Sequence, residues 1–285
     1  MLLKIENLSY TYMKGTPFEK KALKDVSFEI EKGDFVGIIG HTGCGKSTLV
    51  QHFNGLLKPE EGNIYLNDEC VNDSNVKELR KSVGFVFQYP EHQLFESTVY
   101  KDIAFGLRNE KLSKEEEKAR VIKAAEAVSL DLDLLDNSIY DLSGGQKRRA
   151  AIAGVIVMNP QILVLDEPAA GLDPIGRDEI LDFAMKLRRE YGITIVLVSH
   201  SMEDVAKYAN KVIVMNKGRI EMVGSPGKVF ADEDKLNSIG LGVPQIATLF
   251  KKLAAAYPEH NIDCEIFTVG EATKCLLDLL GGEKV

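Results

Sequence analysis

Gly40-His41-Thr42-Gly43-Cys44-Gly45-Lys46-Ser47 follows the apolar run Phe35-Val36-Gly37-Ile38-Ile39 and opens a segment, 46–54, of helical periodicity that Gly55 closes. The octapeptide fits G-x-x-x-x-G-K-[ST] at a predicted strand-to-helix junction, the context in which that pattern has a physical meaning. Glycines let backbone N–H groups curl around the β- and γ-phosphates of a nucleotide, and the helix N-terminus adds partial positive charge. Lys46 supplies a full charge, the Ser47 hydroxyl is a ligand for Mg²⁺, and Thr48 extends the same candidate site. A glycine-rich turn without a ligand is the competing explanation, but such a turn has no need of Lys-Ser at the mouth of a helix.

Three further runs share the design of 35–39: Val83-Gly84-Phe85-Val86-Phe87, Ile162-Leu163-Val164-Leu165 and Ile193-Thr194-Ile195-Val196-Leu197-Val198. Continuous β-branched and apolar character marks strands buried on both faces, as in a parallel sheet covered by helices. Each run ends abruptly in polar chemistry: the glycine loop, Gln88, Asp166-Glu167 and Ser199-His200. Ligands of open α/β sheets lie beyond the carboxyl ends of the strands, so these endings are expected to converge. Helical periodicity recurs at 114–128 and 178–190, which makes the class α/β with a mostly parallel central sheet. Residues 89–158 carry no convincing strand and read as a helical subdomain inserted between sheet strands. The opening residues, 1–12, alternate as a strand, and 212–223 reads as a hairpin around Asn216-Lys217-Gly218. Gly224-Ser225-Pro226-Gly227 then marks a change to shorter amphipathic pieces, which sets the expected domains at 1–224 and a small C-terminal extension at 225–285.

Asp166 ends a buried strand, where a carboxylate is costly unless a cation or hydrogen bonds meet it; magnesium would do so. Glu167 follows, and Pro168 ends the strand, which leaves the second carboxylate free to polarise an attacking water. Acid pairs at strand ends are also common without any role, and it is the phosphate loop nearby that favours the catalytic assignment. Leu142-Ser143-Gly144-Gly145-Gln146 has S-x-x-Q spacing that any helix might use as a capping box. Yet Lys147-Arg148-Arg149 crowd cations into the first turn, where the helix dipole disfavours them, and two glycines bare the backbone; an anion would resolve both. His200 is a candidate γ-phosphate contact, against the alternative of a core histidine. Gln88 is a candidate for magnesium or the lytic water, against that of an ordinary polar strand end.

The chain has 285 residues, 45% hydrophobic and 27% charged, with a net charge of −8, which fits a folded globular protein and argues against a broad nucleic-acid surface. No apolar run approaches the roughly 20 residues that cross a bilayer, and 1–12 lacks the apolar core of a secretory signal, so a cytoplasmic start and membrane work through partners are expected. Cys44, Cys70, Cys264 and Cys275 have no metal or disulfide spacing and are read as reduced thiols.

Taken in order, the phosphate loop, Gln88, the LSGGQ pentad 142–146, ILVLDE at 162–167, Gly171-Leu172-Asp173 and His200 resemble the ABC ATPases over about residues 1–224. Pro17-Phe18-Glu19-Lys20-Lys21-Ala22-Leu23, the stretch 87–95 (FQYPEHQLF) and Val243-Pro244-Gln245 look like the energy-coupling factor transporter ATPases, the second of their two paralogous A-components. The resemblance implies the phosphate-loop ABC fold, with an antiparallel β subdomain beside the central sheet. It implies ATP and Mg²⁺ as cofactors, with Ser47, Gln88 and Asp166 toward the metal and Glu167, His200 and Gln88 in catalysis. Nucleotide contacts would come from Gly40, His41, Thr42, Gly43, Cys44, Gly45, Lys46, Ser47 and Thr48. Ser143, Gly144, Gly145 and Gln146 of one subunit would close over the ATP held by another, a paralogue or a second copy. Tyr12 would face the adenine, with Tyr10 and Phe18 as alternates. A transmembrane T-component and a substrate-binding S-component, specific for a vitamin or a transition-metal ion, would place the chain peripherally on the cytoplasmic face of the cell membrane. The extension would support the dimer. Cys44 stands where serine is frequent, and Ala169-Ala170 replace hydroxyl residues, which puts signalling across the dimer in doubt rather than phosphate binding. A soluble ABC ATPase of DNA repair or translation is the alternative, but the chain has neither a long coiled coil nor a second ATPase domain. LSGGQ together with His200 speaks against a small-molecule phosphotransferase.

Overall fold

The computed structural model describes residues 1–260, 262–263 and 265–279. Cys264 and the last six residues of the expected extension lie outside them. Five strands form the parallel part of a six-stranded sheet: β3 (Phe35–Ile39), β6 (Val83–Val86), β7 (Ile162–Asp166), β8 (Thr194–Val198) and β9 (Lys211–Asn216). β10 (Arg219–Gly224) adds an antiparallel edge, giving the order β10-β9-β3-β8-β7-β6. The β9–β10 turn uses Lys217 and Gly218, both at positive φ (48° and 82°), the geometry that matches strand twist in a two-residue hairpin.

Every residue of β3, β7 and β8 is buried, because alternate side chains feed two different cores. Phe35, Ile39, Leu163, Leu165, Ile195 and Leu197 enter one, while Val36, Ile38, Ile162, Val164, Val196 and Val198 enter the other. The second core is closed by α1 (Lys46–Phe53) and by an antiparallel sheet in the order β2-β1-β4-β5. Its strands are β1 (Leu3–Tyr12), β2 (Lys20–Ile30), β4 (Glu61–Leu66) and β5 (Glu69–Cys70). Leu3 and Ile5 of β1 point inward while Lys4 and Glu6 stay on the other face. After β5, α2 (Val76–Ser82) leads directly into β6.

Helices cover the first core. Between β6 and β7 the described residues hold α3 (Val99–Ala104), α4 (Lys114–Ala127), α5 (Gly144–Ile156) and short 3₁₀ turns, and no strand. α6 (Pro174–Tyr191) and α7 (Met202–Tyr208) complete that layer. The α6 helix begins four residues earlier than periodicity at 178–190 suggests. The Asp173 side chain accepts from Gly176 N–H and Pro174 opens the first turn, so the start is set by capping chemistry before the apolar stripe begins. Beyond β10 lie α8 (Pro226–Ala231), α9 (Glu233–Ser238), α10 (Gln245–Ala256) and α11 (Val269–Leu279). Val229, Phe230, Leu236 and Leu241 join the first core, whereas Phe250, Ile266 and Ala272 form a small cluster of their own. No described helix is long and apolar enough to cross a membrane.

Candidate functional site

The glycine loop leaves β3 at Gly40 (φ 153°) and is pressed tightly onto its surroundings: a Cβ there would lie 2.3 Å from the Met215 carbonyl oxygen and 2.7 Å from Cys44 Sγ. Gly45, at φ 110°, is fixed the same way, with a Cβ 2.8 Å from the Ala22 carbonyl oxygen. Only glycine satisfies both the positive φ and the close approach. Lys46 is buried, and its ammonium donates to the Gly40 and His41 carbonyls at 2.6 and 3.1 Å, which holds the charge inside the curl of the loop. Cys44 is buried in the apolar core beneath, and burial pushes its thiol pKa up. Its side chain is therefore packing, and the loop presents backbone.

At the end of β7, Asp166 is buried, and loss of solvation raises its pKa; the neighbouring Glu167 charge adds to the rise, while a hydrogen bond with Ser47 and the Lys46 charge oppose it. A carboxylate so desolvated, with the Ser47 hydroxyl near it at the helix mouth, offers hard oxygen donors whose charge a divalent cation would compensate. Glu167 adopts the left-handed φ of 51°, a strained conformation that its N–H sustains by donating to Val198 at 3.0 Å. The turn delivers its carboxylate to two other strand endings. Gln88 Nε2 donates to Glu167 Oε2 at 3.2 Å, and His200 Nδ1 lies 3.7 Å from the same oxygen. His200 is 74% exposed, which removes the alternative of a core histidine. The segment after it is clamped from α6, where Arg177 Nε donates to both Asp204 oxygens at 2.9 and 2.8 Å and its Nη2 donates to Ser201.

The hydroxyl of Tyr12 sits 3.3 Å from Thr48 Oγ1, beside the start of α1, and its ring meets Tyr10 edge-on at 5.0 Å. Tyr10 packs in turn against His52 at 5.0 Å, so it is occupied by structure, and Phe18 stands 76% exposed away from these contacts.

Ser143 caps α5: its hydroxyl accepts from Gln146 N–H at 3.3 Å, and Gln146 Oε1 accepts from Ser143 N–H at 2.8 Å. The capping box is thus real. Gly144 and Gly145, by contrast, have no structural reason, since a Cβ at either would meet nothing within 4 Å. Among the described residues no hydrogen bond joins this tip to the phosphate loop.

The cation run after it requires a correction. Arg148 is buried and forms a bidentate pair with Glu91 at 3.1 and 3.0 Å, and Arg149 pairs with Glu179 at 3.1 Å and donates to the Ser129 carbonyl. Arg148 and Arg149 thus find their counter-charges in carboxylates of the same chain, so these two call for no external anion, while no ion pair forms at Lys147 among the described residues. Burial pushes the Glu91 pKa up, and the Arg148 bonds outweigh it, so the net shift is down. This pair was missed because its members stand 57 residues apart. It ties the segment that follows Gln88 to the helix that Ser143 caps.

The sequence pattern of the family described as ABC transporter fits residues 23–170. The energy-coupling factor transporter ATP-binding protein EcfA2 of Acetivibrio thermocellus is 58% identical over 272 residues, spanning 95% of this chain and 96% of its own. The chain belongs to the energy-coupling factor group of ABC transporter ATPases. A relative of the same description from Clostridium tetani is 54% identical across 99% of both chains. Among solved structures, cbiO1 of Clostridium perfringens, described as part of the ABC transporter complex cbiONQ, superposes with a TM-score of 0.75 at 41% identity. It covers 88% of this chain and 98% of its own. A dimeric ATP-binding cassette in a post-hydrolysis state, bound to ADP and Pi, gives 0.69 at 29% identity, over 79% and 99%. As an ABC ATPase of this group, the protein binds and hydrolyses ATP as the nucleotide-driven subunit of a transporter.

Proposed function

We propose that the protein holds MgATP between its own phosphate loop and the 143–146 helix tip of a second ATPase subunit, and that hydrolysis there powers import through membrane components. The observation that carries this reading is the convergence of Gln88 and His200 on one oxygen of Glu167, next to the buried Asp166 at the end of β7.

Backbone N–H groups of 40–47 and the α1 terminus would take the β- and γ-phosphates, with Lys46 turning from its two carbonyls to the phosphate oxygens. Ser47, Asp166 and Gln88 are the residues that would hold Mg²⁺, which supplies charge neutralisation between the phosphates. Glu167 accepts the proton of the attacking water, and Gln88 and His200 fix the orientation of its carboxylate and meet the γ-phosphate. Tyr12 stacks on the adenine. Ser143 with Gly144 and Gly145 offers donors to an anion from outside the chain, which gives the two exposed glycines a purpose that the monomer lacks.

Departure of the γ-phosphate would release Gln88, and the Glu91–Arg148 pair would carry that change into α5. Residues 1–224 form the ATPase domain in this reading, with a helical part at about 89–158, and 225–285 supports the dimer. The second ATPase subunit is a paralogue, the membrane partners are a T-component and an S-component, and the cargo is a vitamin or transition-metal ion. The protein then works peripherally at the cytoplasmic face of the membrane. Glu167→Gln tests the site: it retains MgATP and dimerises, but turnover falls by about 10²-fold or more. Undiminished turnover in that variant would refute the assigned base.

A further inference from the structure

His41, inside the phosphate loop, reaches out of it. Its Nε2 donates to the carbonyl of Ile239 at 2.7 Å, across 198 residues of sequence. Ile239 is the C-cap of α9, so its carbonyl belongs to the group that a helix end leaves without an internal partner. Gly240 follows in the left-handed region (φ 74°), and Leu241 N–H closes back on the Leu236 carbonyl at 2.9 Å. Leu236 and Leu241 are buried in the main core, so this turn is anchored on one side and presents its spare oxygen on the other. The approach is close: a Cβ on Gly240 would stand 2.7 Å from His41 Nε2. The His41 carbonyl, meanwhile, accepts from the Lys46 ammonium at 3.1 Å and from Cys44 N–H at 3.2 Å. One residue therefore joins the C-terminal segment to the cation of the loop.

We infer that His41 is a positioning residue through which the α9 turn pre-organises the phosphate loop, so that nucleotide binding and docking of this turn strengthen each other. The inference rests on the nucleotide site proposed above. With the ring anchored, the loop is held curled before nucleotide arrives; without the anchor, nucleotide must order it, and affinity falls. Linkage requires the reciprocal effect, so bound nucleotide tightens the turn by the same factor.

Hydrogen exchange of the full chain, with and without the magnesium complex of a non-hydrolysable ATP analogue, tests this. In the unmutated protein the analogue slows exchange at 40–47 and also at 239–241. In His41→Ala the loop is still protected, the turn no longer responds, and analogue affinity drops roughly fivefold, the scale of one hydrogen bond. Gly240→Ala, which crowds the ring from the other side, reproduces both effects, and His41→Gln, which keeps an N–H donor, recovers both. Protection of 239–241 that persists in His41→Ala, or affinity unchanged in both alanine variants, would overturn the coupling. Absence of protection at 40–47 in the unmutated protein would instead remove the nucleotide site itself, and the coupling with it.

Discussion

The phosphate loop and the 143–146 helix tip are both rich in glycine, and their surroundings are opposite. In the loop, Gly40 and Gly45 are required by the chain itself, because backbone oxygens lie 2.3 and 2.8 Å from where a Cβ would be. At the tip, Gly144 and Gly145 have open space around them. The loop's lysine is satisfied internally, and the arginines behind the tip are paired with carboxylates of the same chain, Arg148 Nη1 alone staying buried without a hydrogen-bond partner among the described residues. What remains at the tip is a capped helix end with a bare backbone and no partner within the described residues. A helix end that the fold leaves open in this way is free for the second molecule proposed above.

The contrast can be broken most strongly at the chemistry between the two regions, where Glu167→Gln should cost at least about 10²-fold in ATP turnover with binding retained, read by steady-state hydrolysis and nucleotide binding. Next in size is a pair of alanines. Gly40→Ala should destabilise the fold by about 3 kcal/mol, through forced displacement against Met215, whereas Gly144→Ala should change stability by no more than about 0.5 kcal/mol. Urea unfolding measures both, and equal losses would erase the distinction. Gly144→Ala should nevertheless lower hydrolysis in the dimer.

Arg148→Ala should cost about 2 kcal/mol of stability, since Glu91 would be left half-buried and unpaired. Double-mutant cycles with Glu91→Gln should return a coupling, and additivity would show that the pair is incidental. The smallest effect on stability is expected at Asp166. Its folded pKa lies above the ordinary 3.8, so the ionised side chain costs stability as pH rises through the raised value, and the penalty is complete at neutral pH. Asp166→Asn should therefore melt higher than the unmutated protein at pH 7 while losing magnesium-dependent hydrolysis, with the stability difference vanishing below about pH 3.8.

The parallel sheet was legible because Phe35-Val36-Gly37-Ile38-Ile39 and its counterparts are apolar at every position, a pattern only a doubly covered strand needs. Strands β2 and β4 were not located, since Lys20–Ile30 mixes five charged residues into its run and Glu61–Leu66 opens on the polar, exposed Glu61-Gly62-Asn63. Their pairing with β1 is set by distant partners, such as Leu3 opposite Ile30 and Leu66. At the candidate site, strand-end chemistry at Gln88, Glu167 and His200 pointed to three residues of which the fold gathers two, Gln88 and His200, on one oxygen of the third. The Arg148–Glu91 and His41–Ile239 contacts were invisible, because each depends on tertiary placement of residues with no local pattern. The basic run after LSGGQ misled for the same reason: sequence shows the cations and hides the carboxylates folded against them.

The most direct measurement uses a photoactivatable ATP trapped with vanadate in ATPase dimers that pair a Ser143→Arg subunit with an unmutated one, either a differently tagged copy or a paralogue. If the tip serves the opposing phosphate loop, label disappears from the unmutated subunit and persists on the one carrying arginine. Label lost from the arginine-bearing subunit, with the other still turning over, would contradict that arrangement.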